Sequence, residues 1–332
     1  MRRVSQRQRP GPTGESGTTV VVALAANAGI AIAKLAAALL SGSSAMLAEA
    51  FHAMADTGNE VVLLVAQRAS ARPPDEDHPL GHGRAAYFWA LIAALGVFVT
   101  GALLSIRQGV LELVHPAEES TSFLLAYVVL AISLVLESTS LWRAYQQLRK
   151  EATEFEREFT EHVRLSSDPI ARAVFAEDAA AVAGNIIAGI GIGLRQLTGS
   201  RIPDGVAALL IGLVLGYVAL ELARRNGDFL IGRRAPPNIE ADVRRTIATR
   251  HGVTGIGELL VTFLGPRQLR VLARVNIDDG LDGAQVKALT ADIEDALCRE
   301  SRYIVRVDVV PDGRGSPPPR EPPGEAPLPG TP

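Results

Sequence analysis

The chain has 332 residues, is 48% hydrophobic, carries a formal net charge of −3 and has a mean hydropathy of +0.19. Its single cysteine, Cys298, excludes an intrachain disulfide and a cysteine-rich zinc site, and its charge points to no nucleic-acid partner. The average hydropathy alone decides little, but the apolar residues fall in long runs before about Gly232, with polar segments at both ends.

A membrane-crossing helix needs about 20 mostly apolar residues. Residues 1–17 are rich in Arg, Gly and Ser, lack a signal-cleavage pattern and read as a disordered cytoplasmic segment. Six apolar segments follow, at about 18–40, 45–69, 85–113, 123–145, 170–197 and 203–223, and define a membrane domain over 18–232. The second carries His52 and Asp56, four residues apart and therefore on one helix face. Ionisable residues buried in a membrane are costly, so such a pair suggests half of a metal site. The fourth segment contains Glu137, and the fifth contains Glu177 and Asp178. Asn27 and Asn185 read as interhelical hydrogen-bonding residues, and Lys34 as a side chain that snorkels to the outer surface.

The distribution of basic residues sets the orientation. Arg2, Arg3, Arg7 and Arg9 precede the first span; Arg68, Arg72 and Arg84 lie between the second and third; Arg143, Arg149, Lys150, Arg157 and Arg164 lie between the fourth and fifth; Arg224, Arg225, Arg233 and Arg234 follow the sixth. The remaining loops are uncharged or carry acids such as Glu112, Glu118 and Glu119, except for Arg195 and Arg201, which oppose the scheme. Six spans with both termini cytoplasmic is the consistent reading.

Residues 233–311 change character. Helical periodicity over 238–250 and 282–299 and strand patterns over 257–264, 269–277 and 303–310 give a small α-β-β-α-β domain. The fold class is thus an all-α six-helix transmembrane domain followed by a small cytoplasmic α/β domain. Residues 312–332 are dominated by Pro and Gly and read as a disordered tail.

The run from Ser43 to Asp56 (SSAMLAEAFHAMAD) resembles the second helix of cation diffusion facilitator transporters, and Asp75 to Arg84 (DEDHPLGHGR) resembles that family's signature loop. Ser167-Asp168-Pro169 followed by Phe175-Ala176-Glu177-Asp178 is similar to the branch that includes the mitochondrial zinc exporter and its bacterial relatives. The resemblance covers roughly residues 18–311. It implies export of a divalent cation, most often zinc, from the cytoplasm by exchange for protons, by a homodimer in a membrane. No cofactor is implied beyond the transported ion, and no enzymatic activity. The host membrane reads as a bacterial inner membrane.

The resemblance also implies a transport site formed by His52, Asp56 and Asp178. One neutral imidazole and two carboxylates balance a divalent ion, and protons compete for the same atoms. Many family members place a histidine four residues before the aspartate of the fifth helix; here that position is Val174. The fourth ligand is left open between water and an additional acid, Glu177 or Glu137, either of which also suits a proton relay. A site with one nitrogen fewer discriminates less between zinc and manganese or ferrous iron. Asp75, His78 and His82 form the implied cytoplasmic loop site, in competition with a solvated polar turn. In the C-terminal domain only His251 is a histidine, and Arg274 and Asp308 stand where some family members hold metal ligands, so no metal cluster is expected there. His162 reads as an isolated loop histidine. The competing reading is a membrane metal sensor or scaffold that does not transport.

Overall fold

The computed structural model describes residues 17–115, 123–154 and 158–312. Apart from Gly17 and Asp312, the segments read as disordered lie outside the described residues, as do Glu118, Glu119 and Arg157. The chain divides into two compact units, Met1–Ile231 and Gly232–Pro332.

The first unit is helical. It comprises α1 (Gly17–Ser41), α2 (Ser44–Ser70), α3 (Ala85–Gly96), a π-helical segment (Val97–Leu103), α4 (Leu104–Val114), α5 (Phe123–Glu154), the short α6 (Phe159–Leu165), α7 (Pro169–Thr198) and α8 (Ile202–Ile231). Five helical stretches among the described residues are long and apolar enough to cross a membrane: Leu24–Ser41, Ala85–Val114, Phe123–Thr153, Pro169–Thr198 and Ile202–Ile231. The sixth expected span, α2, has 27 residues but carries Glu49, His52, Asp56, Glu60 and Arg68, which lower its hydropathy. It packs against α1, α3, α4, α7 and α8, whereas α5 lies further out, against α1 and α7.

The bundle has polar residues inside and apolar residues outside. Leu39, Leu124, Val135, Leu197 and Tyr217 are all well exposed, while Lys34, Glu49 and His52 are buried. That inversion suits a hydrocarbon solvent. The main core cluster is built largely from alanines, with Ile192, Ile211 and Leu215 between them. Small residues let helices approach closely: a Cβ on Gly109 would lie 2.7 Å from the Leu209 backbone nitrogen, and one on Gly212 2.8 Å from that of Ile106. The long α3–α4 rod is interrupted by its π segment, where one turn of the hydrogen-bond ladder is widened.

At one end of the bundle, the α1–α2 and α7–α8 turns are joined by buried ionic contacts. Asp204, fully buried, accepts from Ser43 Oγ (2.7 Å), the Ser44 amide (2.7 Å) and Arg195 (3.2 Å). It thus caps the N-terminus of α2 from another helix. Glu112 accepts from Ser44 Oγ (2.9 Å) and Arg201 (3.3 Å). The two arginines that oppose the positive-inside pattern are therefore paired with buried acids rather than free in an external loop.

Two readings of single residues are corrected. Lys34 does not snorkel: its side chain is fully buried and bonded to Glu49 and Glu137. His162 is not isolated: it is buried on α6 with Nε2 3.5 Å from Glu151.

The second unit follows the expected order: α9 (Pro237–Ala248), β1 (Val253–Gly265), β2 (Gln268–Ile277), α10 (Gly283–Glu300) and β3 (Ile304–Asp312). The sheet order is β1-β2-β3, with β1 and β2 antiparallel and β2 and β3 parallel. A parallel pair needs a crossover, which α10 supplies. Its start is set by a capping box between Asp282 and Gln285. Alternate residues Leu259, Val261, Phe263, Val271, Ala273 and Val275 form the buried face.

Candidate metal centre

His52, Asp56 and Asn59 lie on α2 at i, i+4 and i+7, so they share one face. His52 is 1% exposed, and its Nε2 is 3.0 Å from Asp56 Oδ2. The approach is not aligned as a hydrogen bond. Both ring nitrogens of His52, and Oδ1 of Asp56, are buried without a hydrogen-bond partner. An unsatisfied buried polar atom costs about 1–3 kcal/mol, and native proteins rarely leave three together.

α7 supplies the facing carboxylates. Its start is fixed by Asp168, whose Oδ1 accepts from the amides of Ile170 (3.1 Å) and Ala171 (3.2 Å), with Pro169 in the first turn. Two and a half turns later come Glu177 and Asp178. Asn59 donates to Glu177 Oε2 at 2.5 Å, and Ser140 of α5 donates to Asp178 Oδ2 at 2.7 Å. Glu177, Glu137, Lys34 and Asp178 are all within electrostatic reach of Asp56. Val174 lies one turn before Asp178 and offers no ligand atom. Glu137 is occupied, accepting from Lys34 (2.8 Å) and from Asn185. Asn27 of α1 likewise donates to Glu60 of α2.

The structure thus brings His52 and Asp56 together and sets Glu177 and Asp178 opposite them. It does not draw the ligand atoms of His52, Asp56 and Asp178 to within 4.8 Å of one another. Among the described residues, Asp75, His78 and His82 are the group that meets that distance. Asn59 was not foreseen, although extending the i, i+4 pattern of His52 and Asp56 by three residues leads to it.

The loop group is built locally. Asp75 Oδ1 accepts from the His78 amide at 2.6 Å and lies 3.3 Å from His78 Nδ1, while Oδ2 lies 3.4 Å from His82 Nε2. The His78 and His82 ring centroids are 4.3 Å apart. Gly81, at φ +84°, turns the chain back so that the second histidine meets the same carboxylate. The His78 amide holds the Asp75 carboxyl below the usual carboxylate range, and the two imidazoles reinforce this. Two imidazoles and one carboxylate with an open fourth position suit zinc.

Residues 20–231 match the cation efflux transmembrane domain. The chain belongs to the cation efflux family. Residues 20–231 therefore form that family's multi-pass membrane domain, whose described activity is cation efflux. It is 36% identical over 262 residues to the proton-coupled zinc antiporter SLC30A9, mitochondrial, of Xenopus laevis, covering 79% of this chain and 47% of that protein. It is 31% identical to metal tolerance protein C4 of Arabidopsis thaliana, covering 72% of this chain and 52% of that one. It is 26% identical to the cation-efflux pump FieF of Klebsiella pneumoniae, covering 83% and 89%. The chain spans about half the length of the first two relatives.

Proposed function

We propose that this cation efflux protein is a secondary transporter that exports divalent cations, zinc foremost, from the cytoplasm in exchange for protons. The observation that carries the reading is the set of unpaired buried atoms on His52 and Asp56. They are the donor types zinc takes, and each is also a proton acceptor, so ion and proton compete for the same lone pairs. Asp178 completes the set when the ion draws it from Ser140. Glu177, held by Asn59, is the additional ligand in place of the histidine that Val174 replaces. Asp75, His78 and His82 form a loading site on the cytoplasmic loop.

The similarity to proteins described as proton-coupled zinc antiporters supports both ion and coupling. The oxygen-rich donor set favours a second substrate reading, manganese or ferrous iron. We further propose that α2 is the sixth span, that residues 18–232 and 233–311 are the transport and cytoplasmic domains, that both termini are cytoplasmic in a bacterial inner membrane, and that two copies assemble.

Equilibrium zinc binding by the purified chain in detergent tests the site. His52→Leu and Asp56→Ala should each weaken membrane-site binding by more than the about 10–100-fold that loss of an outer-shell partner costs. Unchanged binding in folded Asp56→Ala would remove that residue from the site.

A further inference from the structure

Lys34 of α1 has no exposed surface, and its ammonium lies 2.8 Å from Glu49 Oε2 and 2.8 Å from Glu137 Oε1. The carboxylates come from α2 and α5, and Asn185 of α7 donates to the other oxygen of Glu137. The trio carries a formal charge of −1, because one glutamate is enough to neutralise the lysine. The remaining oxygen of Glu49, Oε1, is buried and has no hydrogen-bond partner. It presses on Gly184 of α7, where a side chain of any size would collide with it. Four helices are thus shaped around two carboxylates and one internal cation.

Without the ammonium, the same atoms are a donor set for a divalent ion. Two carboxylate oxygens face one point, a third oxygen is unpartnered and the charge is −2, with Glu49 fully buried and Glu137 half-buried. The oxygens stand at ammonium distance; zinc would require them to close by about 0.6–0.8 Å, to about 2.0–2.2 Å. We propose that Lys34 is a tethered cation filling a second divalent-cation position made by Glu49 and Glu137, separate from His52 and Asp56. Glu49 precedes His52 by three residues, about 4.5 Å of helix rise, towards the α1–α2 turn. An ion leaving His52 in that direction meets these carboxylates next, and Lys34 keeps it from being trapped there. This last point rests on the proposed transport reading; the cation position itself does not.

The test counts zinc and manganese bound per full-length chain at equilibrium, in detergent, for wild type, Asp56→Ala, Lys34→Met, Lys34→Met with Glu49→Gln, and Lys34→Met with Asp56→Ala, the last read against Asp56→Ala alone. Lys34→Met should bind one more ion per chain than wild type. The gain should persist when Asp56→Ala is added and vanish when Glu49→Gln is added. Lys34→Ala, which removes the ammonium and leaves its volume to the ion, runs the same comparison if the methionine variant does not fold. No added ion in either lysine variant, or an added ion that survives Glu49→Gln, overturns the proposal. Because the gain is read in the Asp56→Ala background, failure of the transport-site assignment leaves it measurable.

Discussion

Two buried polar sets in the helical unit differ in one respect, and the difference predicts opposite responses to substitution. Asp204 is satisfied: Ser43, the Ser44 amide and Arg195 all donate to it, and the Ala45 amide lies at 3.4 Å. Asp204→Ala leaves Arg195, 6% exposed, without its carboxylate and takes the acceptor from the Ser44 amide at the start of α2. Removing one partner of a buried pair costs about 3–5 kcal/mol, which at about 2–4 °C per kcal/mol lowers the unfolding midpoint by about 6–20 °C. His52 is unsatisfied at both ring nitrogens. His52→Leu keeps the volume and removes the unpaired atoms, so it should stabilise by about 1–3 kcal/mol, a rise of about 2–12 °C, while abolishing metal binding at the membrane site. The assay is thermal unfolding in detergent with metals chelated, the two variants beside wild type. A His52→Leu protein less stable than wild type by about 1 kcal/mol or more would show that those nitrogens serve packing, and would refute the reasoning.

Val174→His places an imidazole one turn before Asp178 and should tighten zinc binding by at least about tenfold, 1.4 kcal/mol, with a smaller gain for manganese; equal gains would mean that the position does not face the ion. Asp75 has a depressed carboxyl pKa, so the stability its ionised form contributes is present above the unfolded value near about 3.9 and is lost only as pH falls through the lower folded value. Asp75→Asn should therefore weaken zinc binding at the loop at about pH 5 as well as at about pH 8, the carboxylate being ionised at both; binding at the lower pH equal to wild type in isothermal titration would remove Asp75 from the site. Gly109→Ala should cost about 1–3 kcal/mol through its backbone collision with α8, whereas Gly189→Ala, with nothing within 4 Å, should stabilise by up to about 1 kcal/mol.

Much of this was legible in one dimension. Span positions follow from apolar runs, and His52 and Asp56 follow from helical spacing, because both signals are local. The order of the C-terminal elements is legible for the same reason: strand alternation and the Asp282 cap are written in adjacent residues. Lys34 was misread because snorkelling is inferred from position along a helix, whereas its fate depends on which face it occupies. Its partners lie 15 and 103 residues away. Arg195 and Arg201 looked like external charge because Asp204 and Glu112, which neutralise them, sit in apolar sequence and pair only through the fold. The π segment at Val97–Leu103 has no proline to announce it. Asp178 could be named from resemblance, but its hydrogen bond to Ser140, and that of Glu177 to Asn59, required three helices to be placed together.

The central claim is that buried ligand atoms on α2 carry a divalent ion across the membrane against protons. The direct measurement is metal uptake into proteoliposomes under an imposed pH gradient, across zinc, manganese, iron, cobalt and cadmium, with wild type and Asp56→Ala in parallel. The account predicts gradient-driven flux, greatest for zinc, that is lost in Asp56→Ala although the protein remains folded and inserted. Equal flux in the two proteins, or none for any metal from correctly inserted wild type, would contradict it, and the latter result would favour a sensor or scaffold.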